Sequence, residues 1–167
     1  MENIKLNIAT ADHIDYLFTI INDAYAIENG NSEISFKNDG KLRFNDKSAL
    51  NELVENGDMT IAFDEVASEY VGCIYAPTFV DKDGIKRLYF GPLASKKRGI
   101  GKLLVSIAEQ KAKDEGCSSI DIHVINIRSD ILPWYQRNGY SIIGEEPYPH
   151  PANCSREVHF LVLRKII

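Results

Sequence analysis

The stretch Leu88–Ala112, LYFGPLASKKRGIGKLLVSIAEQKA, decides how this chain folds. An apolar run (Leu88, Tyr89, Phe90) stops at Gly91-Pro92 and a short basic turn follows (Lys96, Lys97, Arg98, Gly99, Ile100, Gly101). Leu103, Leu104, Ile107, Ala108 and Ala112 then recur at helical spacing, and Gly116 ends the helix as a left-handed cap. The order is strand, glycine-bearing turn, helix. Such a helix start aims unpaired backbone N–H groups and the positive end of the helix dipole at one point, which stabilises an anion. Glycines at 99 and 101 remove Cβ atoms that would hold the backbone away from a phosphate, and Lys96, Lys97, Arg98 and Lys102 add charge around it. The arrangement fits a polyphosphate. It has neither the spacing of a nucleotide P-loop nor that of a GxGxxG turn, and taken alone it also reads as a tight turn with a solvated basic rim.

Composition sets the frame around that turn. A chain of 167 residues with 44% apolar and 26% charged residues matches one soluble globular domain with a core of its own. No apolar run approaches the roughly 20 residues that span a bilayer. The start, Met1-Glu2-Asn3-Ile4-Lys5, lacks a basic segment followed by an apolar core, so a cytoplasmic protein is expected. Three cysteines (Cys73, Cys117, Cys154) without C-x-x-C spacing indicate neither a disulfide framework nor a metal site. A net charge of −5 argues against a nucleic-acid partner, because a phosphate backbone demands a basic face.

Working outward from the turn, residues 4–9 alternate as a half-buried first strand, Thr10 or Asp12 caps a helix to about Ile27, and residues 28–45 form a long polar loop. Asp46 caps a short helix that ends at Asn56-Gly57. Strands near Met59–Phe63 and Tyr70–Tyr75 precede the turn Asp81–Gly84, which leads into the central strand. Downstream, Ser119–Asn126 reads as a fifth strand reached by a right-handed parallel crossover, Asp130–Asn138 as a brief helix closed by Gly139, and residues 140–144 and 157–166 as two last strands separated by a loop from Glu145 to Arg156. The fold class is mixed α/β, with helices on both faces of a twisted, partly antiparallel sheet.

Two blocks resemble a known family. Lys96-Lys97-Arg98-Gly99-Ile100-Gly101 resembles the pyrophosphate turn of the GNAT superfamily of acyl-coenzyme A-dependent N-acyltransferases, with Lys96 where Arg or Gln is usual. Leu132–Tyr140 (LPWYQRNGY) resembles that family's FYEKLGF block, and the two are separated as the family separates them. The run Asn126–Tyr135, followed by Gly144–Pro149 (GEEPYP), is similar to a set of small GNAT proteins with WYERRGY and EPFP stretches.

The resemblance implies one N-acetyltransferase-like domain over residues 1–167, with about seven strands, about four helices and a sheet splayed between its fourth and fifth strands. The pantetheine arm of acetyl-CoA then pairs with the exposed edge, where Gly91-Pro92 fits a break in the ladder and the backbone of Leu93 and Ala94 holds the arm and polarises the thioester. Lys96, Lys97, Arg98, Gly99, Ile100, Gly101 and Lys102 take the diphosphate. The resemblance also implies Asn126 as a coenzyme ligand; because it stands nine positions before Tyr135 and Arg128 holds the family's usual place seven before it, either a two-residue insertion shifts the loop or Arg128 takes over the contact, and Asn126 equally reads as a strand-end turn residue.

The resemblance implies that Tyr135 supplies a proton or hydrogen bond to the departing thiolate, its ordinary pKa near 10 keeping it protonated, whereas on its own it also reads as a packing tyrosine beside Trp134. For the base the candidates are Glu28, Glu33, His123 and His159, with Glu33 carried beside Tyr135 as a catalytic residue; each also reads as an ordinary loop or sheet residue. Tyr148, His150 and the 28–45 loop shape the acceptor side, or form a lid packed by its own prolines. The implied function is acetyl transfer to an amine of a small molecule or peptide by a monomer or homodimer. Acetylation of a protein N-terminus or lysine, and a catalytically silent CoA-binding module, stand as alternatives.

Overall fold

The computed structural model describes residues 3–30, 43–149 and 157–167. The first strand, β1 (Ile4–Ile8), leads through a single 3-10 turn with Thr10 at its N-cap into α1 (Ile14–Gly30). The second helix, α2 (Ser48–Glu55), is capped from just outside: Asp46 Oδ1 accepts the Ser48 N–H at 2.8 Å, and Gly57 closes the helix at φ +78°. Then β2 (Met59–Asp64) pairs antiparallel with β1.

The next 27 residues form one bent hairpin in four pieces: β3 (Glu69–Tyr75), β4 (Thr78–Val80), β5 (Lys86–Tyr89) and β6 (Leu93–Ser95). Its tip is set by Asp81, whose Oδ1 accepts the N–H groups of Asp83 and Ile85 at 2.9 Å, and by Gly84 at φ +78°. Pro77 breaks one arm and Pro92 the other, because proline brings no N–H to a ladder. The arms stay joined across both breaks: the Tyr89 N–H bonds to the Pro77 carbonyl and the Tyr75 N–H to the Pro92 carbonyl, each at 3.0 Å. These two breaks are why nine strands are found among the described residues where the sequence pattern predicts about seven.

Beyond the hairpin, α3 (Ile100–Asp114) crosses to β7 (Ser119–Ile125), which is followed by α4 (Leu132–Arg137), β8 (Ser141–Pro147) and β9 (His159–Ile166). The inner hairpin half belongs to a sheet of order β1-β2-β3-β6 and the outer half to one of order β4-β5-β7-β9-β8. All neighbours run antiparallel except β5 and β7. Strand β8 reaches Pro147, past the end at residue 144 that the sequence suggests: after a bulge between Ile142 and Gly144, Glu145 and Glu146 pair with Leu161 and Phe160.

Adjacent residues of β2 and β3 serve opposite faces. Ile61 and Cys73 join Leu17, Ile21 and Leu50 of α1 and α2, while Ala62 and Ile74 join Ile100, Leu104 and Ala108 of α3. The helices therefore cover the inner sheet from both sides. Helix α3 comes close because residue 72 is glycine: a Cβ there would lie 2.7 Å from Ile100 Cγ2 and 3.0 Å from the Ala94 carbonyl oxygen. Cys73 and Cys117 are buried free thiols, and burial pushes the Cys73 thiol up to about 12; Cys154 lies outside the described residues.

The two sheets separate at one place. Strand β5 pairs with β7 only at Leu88↔Ile120 and Tyr89↔Asp121, after which Gly91-Pro92 carries the chain over to β3. A gap opens between β6 and β7.

Candidate active site

The turn that starts α3 is built around Gly99, which sits at φ +90° as the N-cap, a conformation costly for any residue with a Cβ. The Lys96 N–H is used by the Val71 carbonyl and the Ile100 N–H by Lys97, and the first helical bond runs from the Leu103 N–H to the Gly99 carbonyl. The N–H groups of Arg98, Gly99, Gly101 and Lys102 have no acceptor among the described residues. Residues 95–99 are exposed, so these donors face solvent. A Cβ on Gly101 would stand 3.4 Å from Ser95 Oγ, so glycine here keeps the turn open.

The four cations of the turn differ in what they touch. The Lys97 ammonium is bound to Asp64, whose side chain is only 3% exposed and whose Oδ1 also accepts the N–H groups of Val66 and Ala67. The Lys96 ammonium lies 5.6 Å from the centre of the Tyr16 ring. Arg98 and Lys102 are exposed.

Antiparallel parity determines which backbone groups line the gap. The Lys96 N–H donates to the Val71 carbonyl and the Tyr75 N–H to the Pro92 carbonyl, so Cys73 and Ala94, midway between these pairs, are also a hydrogen-bonded pair. The Ala94 N–H and C=O thus point to β3, while those of Leu93 and Ser95 point to the open edge. On the other side the Asn126 N–H bonds to the His159 carbonyl at 3.0 Å, and the same alternation turns the backbone of His123 toward the gap.

Tyr135 comes to this gap from α4. Its ring packs against Phe90, Trp134 and Tyr140 at centroid distances of 6.2, 4.9 and 5.7 Å. Burial pushes its phenol well above the ordinary value, with Tyr25 and Tyr89 adding to the rise and Arg128 opposing it. The hydroxyl has no hydrogen-bond partner among the described residues.

Asn126 has a structural bond: its Oδ1 accepts the His159 N–H at 3.2 Å, extending the β7–β9 ladder by one step. Arg128 forks onto Asp130 with two contacts of 2.8 Å, and that hydrogen-bonded guanidinium holds the Asp130 carboxyl below the usual carboxylate range. Glu33 and His150, and the side chain of Glu28, lie outside the described residues.

On the face of the outer sheet away from α3, residues from four strands converge. The His123 ring stacks on Phe160 at 5.1 Å and meets Tyr89 at 5.4 Å, and its Nε2 lies 3.2 Å from Glu146 Oε2. Tyr148 packs edge-on to Phe160 at 5.1 Å. No group of three His, Cys, Asp or Glu side chains suited to a metal ion, and no helix long and apolar enough to cross a membrane, occurs among the described residues.

Residues 20–140 match the family model described as Acetyltransferase (GNAT) family. The chain belongs to the GNAT acetyltransferase family. Acetyltransferase Atu2258 of Agrobacterium fabrum is 30% identical over 99 residues, which cover 59% of this chain and 64% of that relative, so the match spans less than two thirds of the relative's length. The crystal structure of PaiA N-acetyltransferase from Thermoplasma acidophilum in complex with coenzyme A has the same fold, with a TM-score of 0.72 and 16% identity over 98% of this chain and 99% of that one. A chain of the NatC complex bound to Gag peptide and CoA gives 0.73 and 18% identity over 99% of each.

Within this GNAT chain the sequence pattern did not single out Tyr89, Phe160 and Glu146. Tyr89 reads as one more apolar strand residue and Phe160 as ordinary strand filling. Glu146 falls in what reads as a loop. The usable signal was the strict alternation around His123, which sets it on the face opposite the apolar Ile122 and Val124.

Proposed function

We propose that this GNAT protein is an acetyl-CoA-dependent N-acetyltransferase that passes the acetyl group directly to an amine of a small molecule or peptide. The observation that carries the reading is the alignment of free donors: amides at Arg98, Gly99, Gly101 and Lys102, then the open edge at Leu93 and Ser95, in a gap beside which Tyr135 packs. Family membership supports it, and so does the binding of CoA by relatives of the same fold. The unpaired donors fit a diphosphate, and an unpaired strand edge fits the amide-bearing pantetheine arm.

Bound acetyl-CoA supplies a thioester whose carbonyl carbon is the electrophile. The turn and the β6 edge fix where that carbon lies, and the Leu93 N–H is a donor for charge developing on its oxygen. As the C–N bond forms and the C–S bond breaks, the Tyr135 hydroxyl gives its proton to the sulfur, and the nitrogen sheds one proton to a base. A phenol held above its ordinary pKa stays protonated until that moment. Asn126 and Arg128 flank the route taken by the coenzyme. Glu33 is the base the sequence suggests, and it lies outside the described residues.

Thiol release from acetyl-CoA, followed with a panel of small amines, peptides and proteins, tests the reading. Turnover on small or peptide amines is expected. Turnover confined to protein substrates points to a protein acetyltransferase. Tight CoA binding with no turnover on any amine, and no effect of Tyr135→Phe, points to a binding module.

A further inference from the structure

Helix α1 packs against β6, the strand whose open edge lines the gap, and it ties down the segment that leads into α2. Asn22, on α1 and only 6% exposed, makes two hydrogen bonds with the backbone of Phe44: its Oδ1 accepts the Phe44 N–H at 2.9 Å, and its Nδ2 donates to the Phe44 carbonyl at 3.1 Å. A buried amide satisfied in this way fixes the backbone at residue 44 to the helix, and with it the direction in which residue 43 leaves. We propose that Arg43, so placed, binds a carboxylate on the acceptor, and that the acceptor is a small amine that also carries a carboxylate, of which free amino acids are the simplest. The inference rests on the acetyl-transfer reading and names the substrate class of the same site.

The guanidinium groups of Arg87, Arg128 and Arg164 are each bound to a carboxylate, of Asp81, Asp130 and Asp121 respectively. Arg43 is different. It has no hydrogen bond or ion pair among the described residues, and its guanidinium carbon lies 5.5 Å from the centre of the Tyr25 ring and 5.7 Å from that of Phe44. Ring contacts consume none of the five N–H donors, so the fork that grips a carboxylate with two parallel bonds stays open. The two rings and the Asn22 clamp also remove part of the rotamer freedom that an arginine otherwise loses on binding.

The place of Arg43 is the acceptor side of the gap. Tyr25 and Phe44 pack on the cluster that contains Cys73 and Ala94, the pair at the β3–β6 seam. Burial pushes the Tyr89 phenol up, with Arg43 opposing the rise and Glu146 adding to it, and Tyr25 and Tyr89 in turn add to the rise that burial causes at Tyr135. The guanidinium therefore shares its surroundings with the phenol beside which the thioester carbon is placed. Positive charge enters there from the α1 side and negative charge, on Glu146, from β8, a pattern complementary to an amine and a carboxylate on one small molecule. The anion turn follows the far end of β6, whereas Tyr89 precedes its near end, so Arg43 is set apart from the diphosphate donors.

The test uses the full chain, acetyl-CoA, and a panel of α- and ω-amino acids, each paired with its carboxamide, which keeps the shape and removes the charge. Wild type is expected to show a kcat/KM at least about tenfold higher for its preferred acid than for the matching carboxamide, chiefly through KM, because the charge-assisted fork is lost with the carboxylate. In Arg43→Ala that preference is expected to fall to within about twofold, while the acetyl-CoA Kd from calorimetry stays within about twofold of wild type. Arg43→Lys is expected to keep part of the preference, since the charge remains and the fork does not. Asn22→Ala, with Arg43 intact, is expected to reduce the preference as well. Arg43 is exposed, so its replacement leaves the fold in place. A preference for the acid that survives in Arg43→Ala overturns the assignment, as does weakened acetyl-CoA binding in that variant, which would put Arg43 on the coenzyme. Wild-type turnover of carboxamides equal to that of the acids, or of proteins alone, overturns the substrate class and leaves acetyl transfer standing. Turnover on no amine and no protein overturns the acetyl-transfer reading itself and is distinguished by that.

Discussion

The Tyr135 ring lies 6.2 Å, centroid to centroid, from that of Phe90, the residue immediately before the Gly91-Pro92 break. The contact links the short helix α4 to the point where the chain leaves one sheet for the other. Whatever occupies the gap at that break is thereby set beside the Tyr135 phenol, and the position of the phenol is fixed by packing against Phe90, Trp134 and Tyr140 rather than by a hydrogen bond.

Removing the hydroxyl alone should separate chemistry from binding. Tyr135→Phe keeps the ring that packs on Phe90 and is expected to lower kcat by about 100-fold while leaving the acetyl-CoA Kd within about twofold. Steady-state kinetics with calorimetry checks it. Unchanged turnover removes Tyr135 from the mechanism.

Gly72 sets how closely α3 approaches β3. In Gly72→Ala the new methyl would meet Ile100 Cγ2 at 2.7 Å and Leu104 Cδ1 at 3.1 Å, both on the first turns of α3, so the helix must shift. The expected cost is about 1–3 kcal/mol in urea unfolding, together with weaker acetyl-CoA binding, because the shifted helix carries the anion turn. Wild-type stability in this variant would show that α3 is not held there.

Asp64 gives a pH signature. The Lys97 hydrogen bond, helped by the Ala67 and Val66 N–H groups, holds its carboxyl below the usual carboxylate range. A depressed folded pKa contributes stability that is present above the unfolded value, about 3.9, and is lost as pH falls through the folded one. Asp64→Asn should therefore melt below wild type from pH 8 down to about pH 5, with the gap closing as pH falls below about 4. A gap that is absent at neutral pH or that widens in acid contradicts the pairing.

Much of this architecture was legible in the sequence because the decisive residues act locally. Gly57, Gly84, Gly99, Gly116 and Gly139 all adopt the positive φ that their places after helices or in turns require. The alternation of Ser119–Ile125 and the apolar stripe of α3 gave β7 and its crossover directly. What escaped was non-local. The split of the hairpin into four strands depends on Pro77 and Pro92 falling near one another across the ladder, a matter of register that one strand's pattern does not carry. The loop expected from Glu145 continues as strand because a bulge brings Glu145 and Glu146 opposite Leu161 and Phe160. The same register places Glu146 against His123, so the pair became visible only with the strands assembled. Likewise Leu93 and Ala94 look equivalent in sequence, and only the pairing of Cys73 with Ala94 separates the residue that faces the gap from the one that does not.

That separation supplies the most direct measurement, an amide chemical-shift titration of the 15N-labelled protein with CoA. The account predicts that the largest changes fall on Arg98, Gly99, Gly101 and Lys102 and on Leu93 and Ser95, with Ala94 moving less than either neighbour. Changes centred elsewhere, or a turn from Arg98 to Lys102 that does not respond to saturating CoA, would contradict it.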